Sequence, residues 1–185
     1  HRGDVYMPLT PLFHVHGWGF PYAATMLGLR QVYPGRYDPD IILRLISDEG
    51  VTFSHCVPTV LSMILDHPNC PQNDLHRWKV IIGGAALPRS LQTRAATAGI
   101  SLHAAYGMSE TCPFLTVADL SSNDPEMQAQ TGFSGPLVDL RVVTPDMKDV
   151  PHDGETTGEI VARAPWLTQG YLDNAQASDE LWDGG

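Results

Sequence analysis

Residues 78–110 read "WKVIIGGAALPRSLQTRAATAGISLHAAYGMSE", and the fold turns on how this stretch is divided. "WKVIIGG" is a short apolar run ending on paired glycines, the signature of a buried strand. "PRSLQTRAATAG" has the length and composition of a helix, closed by Gly99. "ISLHAAY" is apolar again, a second strand. Two such runs joined by a helix of about ten residues predict a βαβ unit with parallel strands. In open sheets of this kind ligands collect outside the carboxyl ends of the strands. Both "GGAA" (83–86) and "YGMSE" (106–110) fall at those ends.

The same alternation continues upstream. "DVYMPLT" predicts a strand, "GWGFPYAATMLGL" a buried helix with Gly and Pro near its start, and "RQVYPG" a short strand ending in a turn. "DPDIILRLISDEG" predicts a helix with Asp38 as N-cap, Pro39 in its first turn and Gly50 as its stop. "VTFSHCV" follows as a strand and "PTVLSMILDHP" as a helix ended by Pro68. Beyond residue 119 the texture changes. "SSNDPEMQAQ" is polar, while "VDLRVVTPD", "TGEIVARAP" and "QGYLDN" read as short strands between Gly, Pro and Asp turns. The expected architecture is therefore α/β. A parallel sheet with flanking helices spans residues 1–118, a linker follows over 119–131, and a small antiparallel, β-barrel-like unit occupies 132–185. The ending "DELWDGG" reads as a turn without a closing element, and the chain opens on His1, so both ends read as cut.

Charge supports that division. Residues 1–118 hold 8 basic and 8 acidic side chains, whereas 119–185 hold 3 and 13 and so carry the whole net charge of −10. Neither part offers the cationic surface that nucleic acid or an anionic membrane needs. At 43% hydrophobic and 17% charged residues the chain reads as a globular protein. It has no apolar run long enough for a bilayer and no secretory leader. Cys56, Cys70 and Cys112 match neither a disulfide framework nor a zinc pattern, which fits reduced thiols in the cytoplasm.

Taken singly, the chemical motifs are weak. "GGAA" serves any tight strand-to-helix connection, a Tyr after a strand is commonly core, and a Glu near a turn is commonly solvated. His14 and His16 in "FHVHGW" would share a face of a strand, a spacing that suits a metal pair, but no Cys, Asp or Glu lies nearby to complete a set. Ser109 in "GMSET" lacks the Gly-x-Ser-x-Gly elbow of a hydrolase nucleophile.

Read together and in order, "PLFHVHGW", "VPTVL", "VIIGGAALP", "YGMSET", "GFSGP" and "GEIVARAPWLTQGYLDN" resemble the adenylate-forming (AMP-binding) superfamily of acyl-CoA synthetases, luciferases and adenylation domains, across essentially the whole chain. "FHVHGWGFPYAA" followed by "GLRQVYPG" is most similar to the fatty acyl-CoA synthetase and acid-CoA ligase branch. It is unlike the amino-acid-activating modules, which usually carry an Asp near this point.

The resemblance implies specific roles. Tyr106 would lie against adenine, with Gly84, Ala85 and Ala86 on the other side of the slot. Gly107 and Met108 would line the nucleotide site, Gly107 leaving room for close backbone approach. Ser109, where Thr is usual, would bond the α-phosphate, and Glu110 would be a ligand of Mg²⁺. His14 would orient the carboxylate, His16 would be a weaker contact to the acid, and Trp18 would gate the acyl tunnel between Gly17 and Gly19. ATP (leaving as AMP), CoA and a small carboxylic acid are the implied partners. The Lys-bearing phosphate loop would precede residue 1, and the ribose Asp and mobile C-terminal domain would follow residue 185. On that reading this is the central fragment of a ligase, inactive alone. Two alternatives stay open: an adenylating enzyme with a non-CoA acceptor, and a non-catalytic nucleotide- or acyl-binding module.

Overall fold

The computed structural model describes residues 3–118, 124, 127, 128 and 130–182. Five strands run parallel: β1 (Val5–Pro8), β2 (Arg30–Gln31), β3 (Phe53–Cys56), β4 (Lys79–Ile82) and β5 (Ser101–Gly107). Two more, β6 (Phe114–Val117) and β7 (Phe133–Ser134), add antiparallel at one edge. Together they form one sheet in the order β2-β1-β3-β4-β5-β6-β7. A separate hairpin pairs β8 (Asp139–Val143) with β9 (Glu159–Arg163). The α/β class with a small antiparallel unit is therefore as the sequence predicts. No helix among the described residues is long and apolar enough to cross a membrane.

Because side chains alternate along a strand, each parallel strand serves two different surfaces. Met7, Cys56, Val80, Ile82 and Leu102 point to one face, where helices α3 (Pro39–Asp48), α4 (Pro58–Leu65) and α5 (Arg89–Thr97) cover them. Ile42, Leu43 and Ile46 of α3, Leu61 and Ile64 of α4, and Leu91 and Ala95 of α5 close this core. Trp78 is fully buried within it and donates its indole N–H to Ser54 Oγ at 2.9 Å. Helix α3 begins as its sequence predicts: the Asp38 carboxylate accepts from the backbone N–H of Asp40 at 2.9 Å, and Pro39 occupies the first turn.

The opposite face is aromatic. Tyr6, Phe53 and His55 point there, under the short helices α1 (Val15–Trp18) and α2 (Phe20–Met26). Phe20 stacks on His55 at 4.6 Å, and the His16 ring lies 5.0 Å from His55 and edge-on to Phe114 at 5.5 Å. The Tyr6 hydroxyl pairs with His55 Nε2 at 2.7 Å, and His55 Nδ1 meets Thr10 Oγ1 at 3.2 Å.

Several local expectations are corrected. "FHVHGW" is a helix start with His14 as N-cap, not a strand, because Gly17 packs on the backbone of Thr10 and Pro11; a Cβ there would come within 2.7 Å of the Pro11 carbonyl oxygen. The helix read as buried in "GWGFPYAATMLGL" buries only Ala24, and leaves Tyr22, Met26 and Leu27 exposed. "QGYLDN" forms only a single bridge, Tyr171 to Asn174, because Asn174 is committed to capping a closing helix, α6 (Ala175–Leu181). Phe133 and Ser134 satisfy the outer edge of β6, so the large sheet extends to residue 134 and the hairpin begins at Asp139. Most of the expected 119–131 linker lies outside the described residues.

Burial holds both imidazoles below the ordinary value of 6.5: His16 falls to about 4, with His14 adding to the effect, and His55 to about 3, with His16 adding. Unfolding lets them take up protons at the ordinary value, so stability is complete above it and declines as pH falls through it. The expected loss between neutrality and about pH 5 is on the order of 2 kcal/mol for each ring. Denaturant titrations across this range check it; a flat profile would show that the rings are not held neutral.

Candidate functional site

The carboxyl ends of β4 and β5 open onto a cavity of about 310 Å³. Its walls come from three places in the chain: His14 and His16 at the start of α1, Gly83 and Gly84 after β4, and the Gly107–Glu110 segment after β5. Seven of the residues singled out in the sequence thus meet: His14, His16, Gly84, Gly107, Met108, Ser109 and Glu110. Gly84 turns the chain with a left-handed φ of +81°. Ala85 and Ala86 follow it, exposed and outside the lining.

The "YGMSET" turn is built by its own hydrogen bonds. Ser109–Thr111 form one turn of 3-10 helix. The buried Thr111 hydroxyl accepts from the Met108 backbone N–H at 2.9 Å and donates to the Pro113 carbonyl at 2.6 Å. Gly107 is required for a reason the sequence does not disclose. A Cβ at this position would sit 1.6 Å from the Pro113 carbonyl oxygen, so the returning chain itself excludes a side chain.

Tyr106 is half-buried and lines a second cavity, of about 360 Å³, between the end of β5 and the β8–β9 hairpin. Met108 and Glu110 line both cavities and so bridge them. Trp18 lines neither. It is 61% exposed on α1, beside the Tyr22 ring at 5.9 Å, and is not a core residue.

Glu110 is held by residues the sequence reading did not assign. Its carboxylate accepts from the Tyr171 hydroxyl at 2.7 Å, and its backbone carbonyl from the Thr168 N–H at 3.0 Å. One residue on, Thr111 accepts at its carbonyl from the Trp166 indole N–H at 3.2 Å. The Tyr171 hydrogen bond keeps the Glu110 carboxyl below the usual carboxylate range and raises the Tyr171 phenol. The signal was the run "WLTQGY": it belonged to a recognised motif, but nothing local tied it to Glu110.

Among the described residues no group of three His, Cys, Asp or Glu gathers to hold a metal ion. Glu110 is the one acid in the lining of the first cavity. That donor set fits Mg²⁺, which is commonly held by one or two carboxylates with substrate phosphates and water completing its shell. It does not fit a metal bound by protein alone.

Residues 1–172 match the family model described as AMP-binding enzyme. The chain is 38% identical to the long-chain-fatty-acid–CoA ligase of Thermus thermophilus over 95% of its own length and 34% of the relative's. It is 30% identical to the medium-chain-fatty-acid–CoA ligase of Ectopseudomonas oleovorans, over 98% and 35% respectively. The fold superposes with a TM-score of 0.87 on the crystal structure of the N-terminal domain of FACL13 from Mycobacterium tuberculosis, at 24% identity, covering all of this chain and 47% of that one. The chain spans about a third of the length of the curated relatives it matches. By that match over residues 1–172, the chain belongs to the AMP-binding enzyme family.

Proposed function

We propose that this chain is the central part of an ATP-dependent acyl-CoA synthetase. The carrying observation is that His14, Gly84, Ser109 and Glu110, from three separate loops, converge on one cavity at the strand ends of an AMP-binding enzyme whose relatives include CoA ligases. In the complete enzyme a carboxylate attacks the α-phosphorus of ATP, giving an acyl-adenylate and pyrophosphate. CoA thiolate then attacks the acyl carbon and expels AMP. We place the enzyme in the cytoplasm, which suits the three cysteines, all of them free thiols.

The roles divide between this cavity and the second one, which Tyr106 lines. His14, exposed at its mouth, orients the attacking carboxylate and later donates to the acyl oxygen as charge develops there. Ser109 offers a hydroxyl to the α-phosphate from the 3-10 turn. Tyr106 and the Gly84–Ala86 turn, at the ends of neighbouring strands, form the adenine contact, with Gly107 and Met108 beside it. Glu110 is the Mg²⁺ ligand; the ion would neutralise phosphate charge. Among the described residues no Lys or Arg lines the first cavity.

In the complete enzyme, Glu110→Gln is expected to slow acid-dependent ATP–pyrophosphate exchange about a hundredfold, worth roughly 3 kcal/mol, with an unchanged melting temperature. The loss should deepen at limiting Mg²⁺; a wild-type Mg²⁺ titration would remove Glu110 from this role.

Trp18 is assigned as a gate on the acyl side. Gly17 is explained by its contact with Pro11, so exposure carries this reading, not glycine neighbours. Trp18→Ala should leave stability within about 1 kcal/mol, against about 3–5 kcal/mol for a buried Trp. It should also flatten the preference among acids of different length. Unchanged length selectivity in a stable variant would end the gate assignment.

A further inference from the structure

His16 is a buried group of the first cavity, to which the resemblance gives only a weaker contact to the acid. It is 8% exposed, whereas His14 two residues earlier is exposed. Its Nε2 is shut off from solvent, has no hydrogen-bond partner, and belongs to a residue that lines the cavity. The ring is fixed on every side. His55 lies 5.0 Å away, Phe114 meets it edge-on, and a Cβ on Gly83 would stand only 3.3 Å from its Cε1. The Phe114 side chain has no polar atom, and both ring nitrogens of His55 are engaged, with the Tyr6 and Thr10 hydroxyls.

A buried polar atom left unpaired costs about 1–3 kcal/mol, and folded proteins leave few of them. Among the described residues nothing pairs His16 Nε2, which leaves its pairing to what fills the cavity. On the ligase reading, on which this inference rests, the carboxylate end of the acid lies by His14 at the mouth and the remainder extends inward toward His16. We infer that His16 Nε2 hydrogen-bonds an uncharged oxygen on the acyl portion of the substrate, so that the enzyme selects hydroxy- or oxo-substituted carboxylic acids over unsubstituted acids of equal length. A neutral imidazole suits such an oxygen, because it provides one directional hydrogen bond and no charge. Burial keeps His16 in that neutral form at physiological pH.

The test measures acid-dependent ATP–pyrophosphate exchange in the complete enzyme. Its substrates are straight-chain acids, each matched with monohydroxy and mono-oxo analogues substituted at successive carbons. One neutral hydrogen bond predicts that kcat/KM for the best-placed analogue exceeds that of its plain counterpart by about tenfold. His16→Leu should lower kcat/KM about tenfold more for the substituted acid than for the plain one, erasing this ratio, and His16→Asn, which keeps a polar group, should restore part of it. A wild-type ratio near one overturns the inference. An equal fall for both members of a pair in His16→Leu also overturns it, since His16 would then serve the shared carboxylate or the fold. Absence of exchange with every acid would overturn the ligase reading and this inference together.

Discussion

The site depends on the close approach of two stretches of backbone. Gly107 ends β5 and Pro113 begins the return toward β6, and the Pro113 carbonyl oxygen occupies the space where any side chain at 107 would stand. That contact lets a parallel strand finish and an antiparallel one start within six residues. Ser109 and Glu110 are the residues at the tip of the reversal, so they project beyond the sheet edge where a ligand can reach them. Thr111 locks the turn with one hydroxyl used in both directions. A larger residue at 107 would separate β5 from β6 and lose the tip geometry at the same time.

The division of the sheet into two unlike faces follows from strand alternation, and it decides where chemistry can occur. The aliphatic face is sealed by α3, α4 and α5 and contains Trp78, whose one polar atom is paired. The aromatic face is covered by two short helices; there Tyr6 and Thr10 pair with His55, while His16 Nε2 has no partner among the described residues. The first face is closed by helices, and the second carries an unsatisfied hydrogen-bonding group beside a cavity. Such an arrangement is expected when one side of a sheet exists to be filled by something other than protein.

What was legible in the sequence was what local physics determines. Strands β1, β3, β4 and β5 announce themselves as apolar runs between turn residues, and α3 carries its own cap, first-turn proline and stop. Strand β7 has two residues, too few for a period, and β6 is defined by its pairing with β5 on one side and β7 on the other. The histidines were placed on a strand because alternation in "FHVHGW" fits one. In the structure they begin α1, where Gly17 packs on the Pro11 carbonyl six residues earlier, an approach that alternation does not show. The candidate site was legible as residue types at strand ends, and five of them share its cavity with His14 and His16. The Tyr171 hydroxyl on Glu110 spans sixty-one residues of sequence, and no spacing rule reaches that far.

That last contact bears on how Glu110 can serve both the fold and a cation. A carboxylate has about four acceptor positions, and Tyr171 occupies one of them with an uncharged donor. The bond favours the ionised form, which is why the carboxyl is held low, yet it leaves the full negative charge unneutralised. A lysine or arginine in Tyr171's place would orient Glu110 equally well and cancel that charge, leaving a cation little to gain. A phenol therefore fixes an acid on an exposed turn without consuming its charge, which the proposed cation role requires. The neighbouring bonds from Thr168 and Trp166 hold only backbone carbonyls, so they secure the turn and leave the carboxylate's remaining positions open toward the cavity.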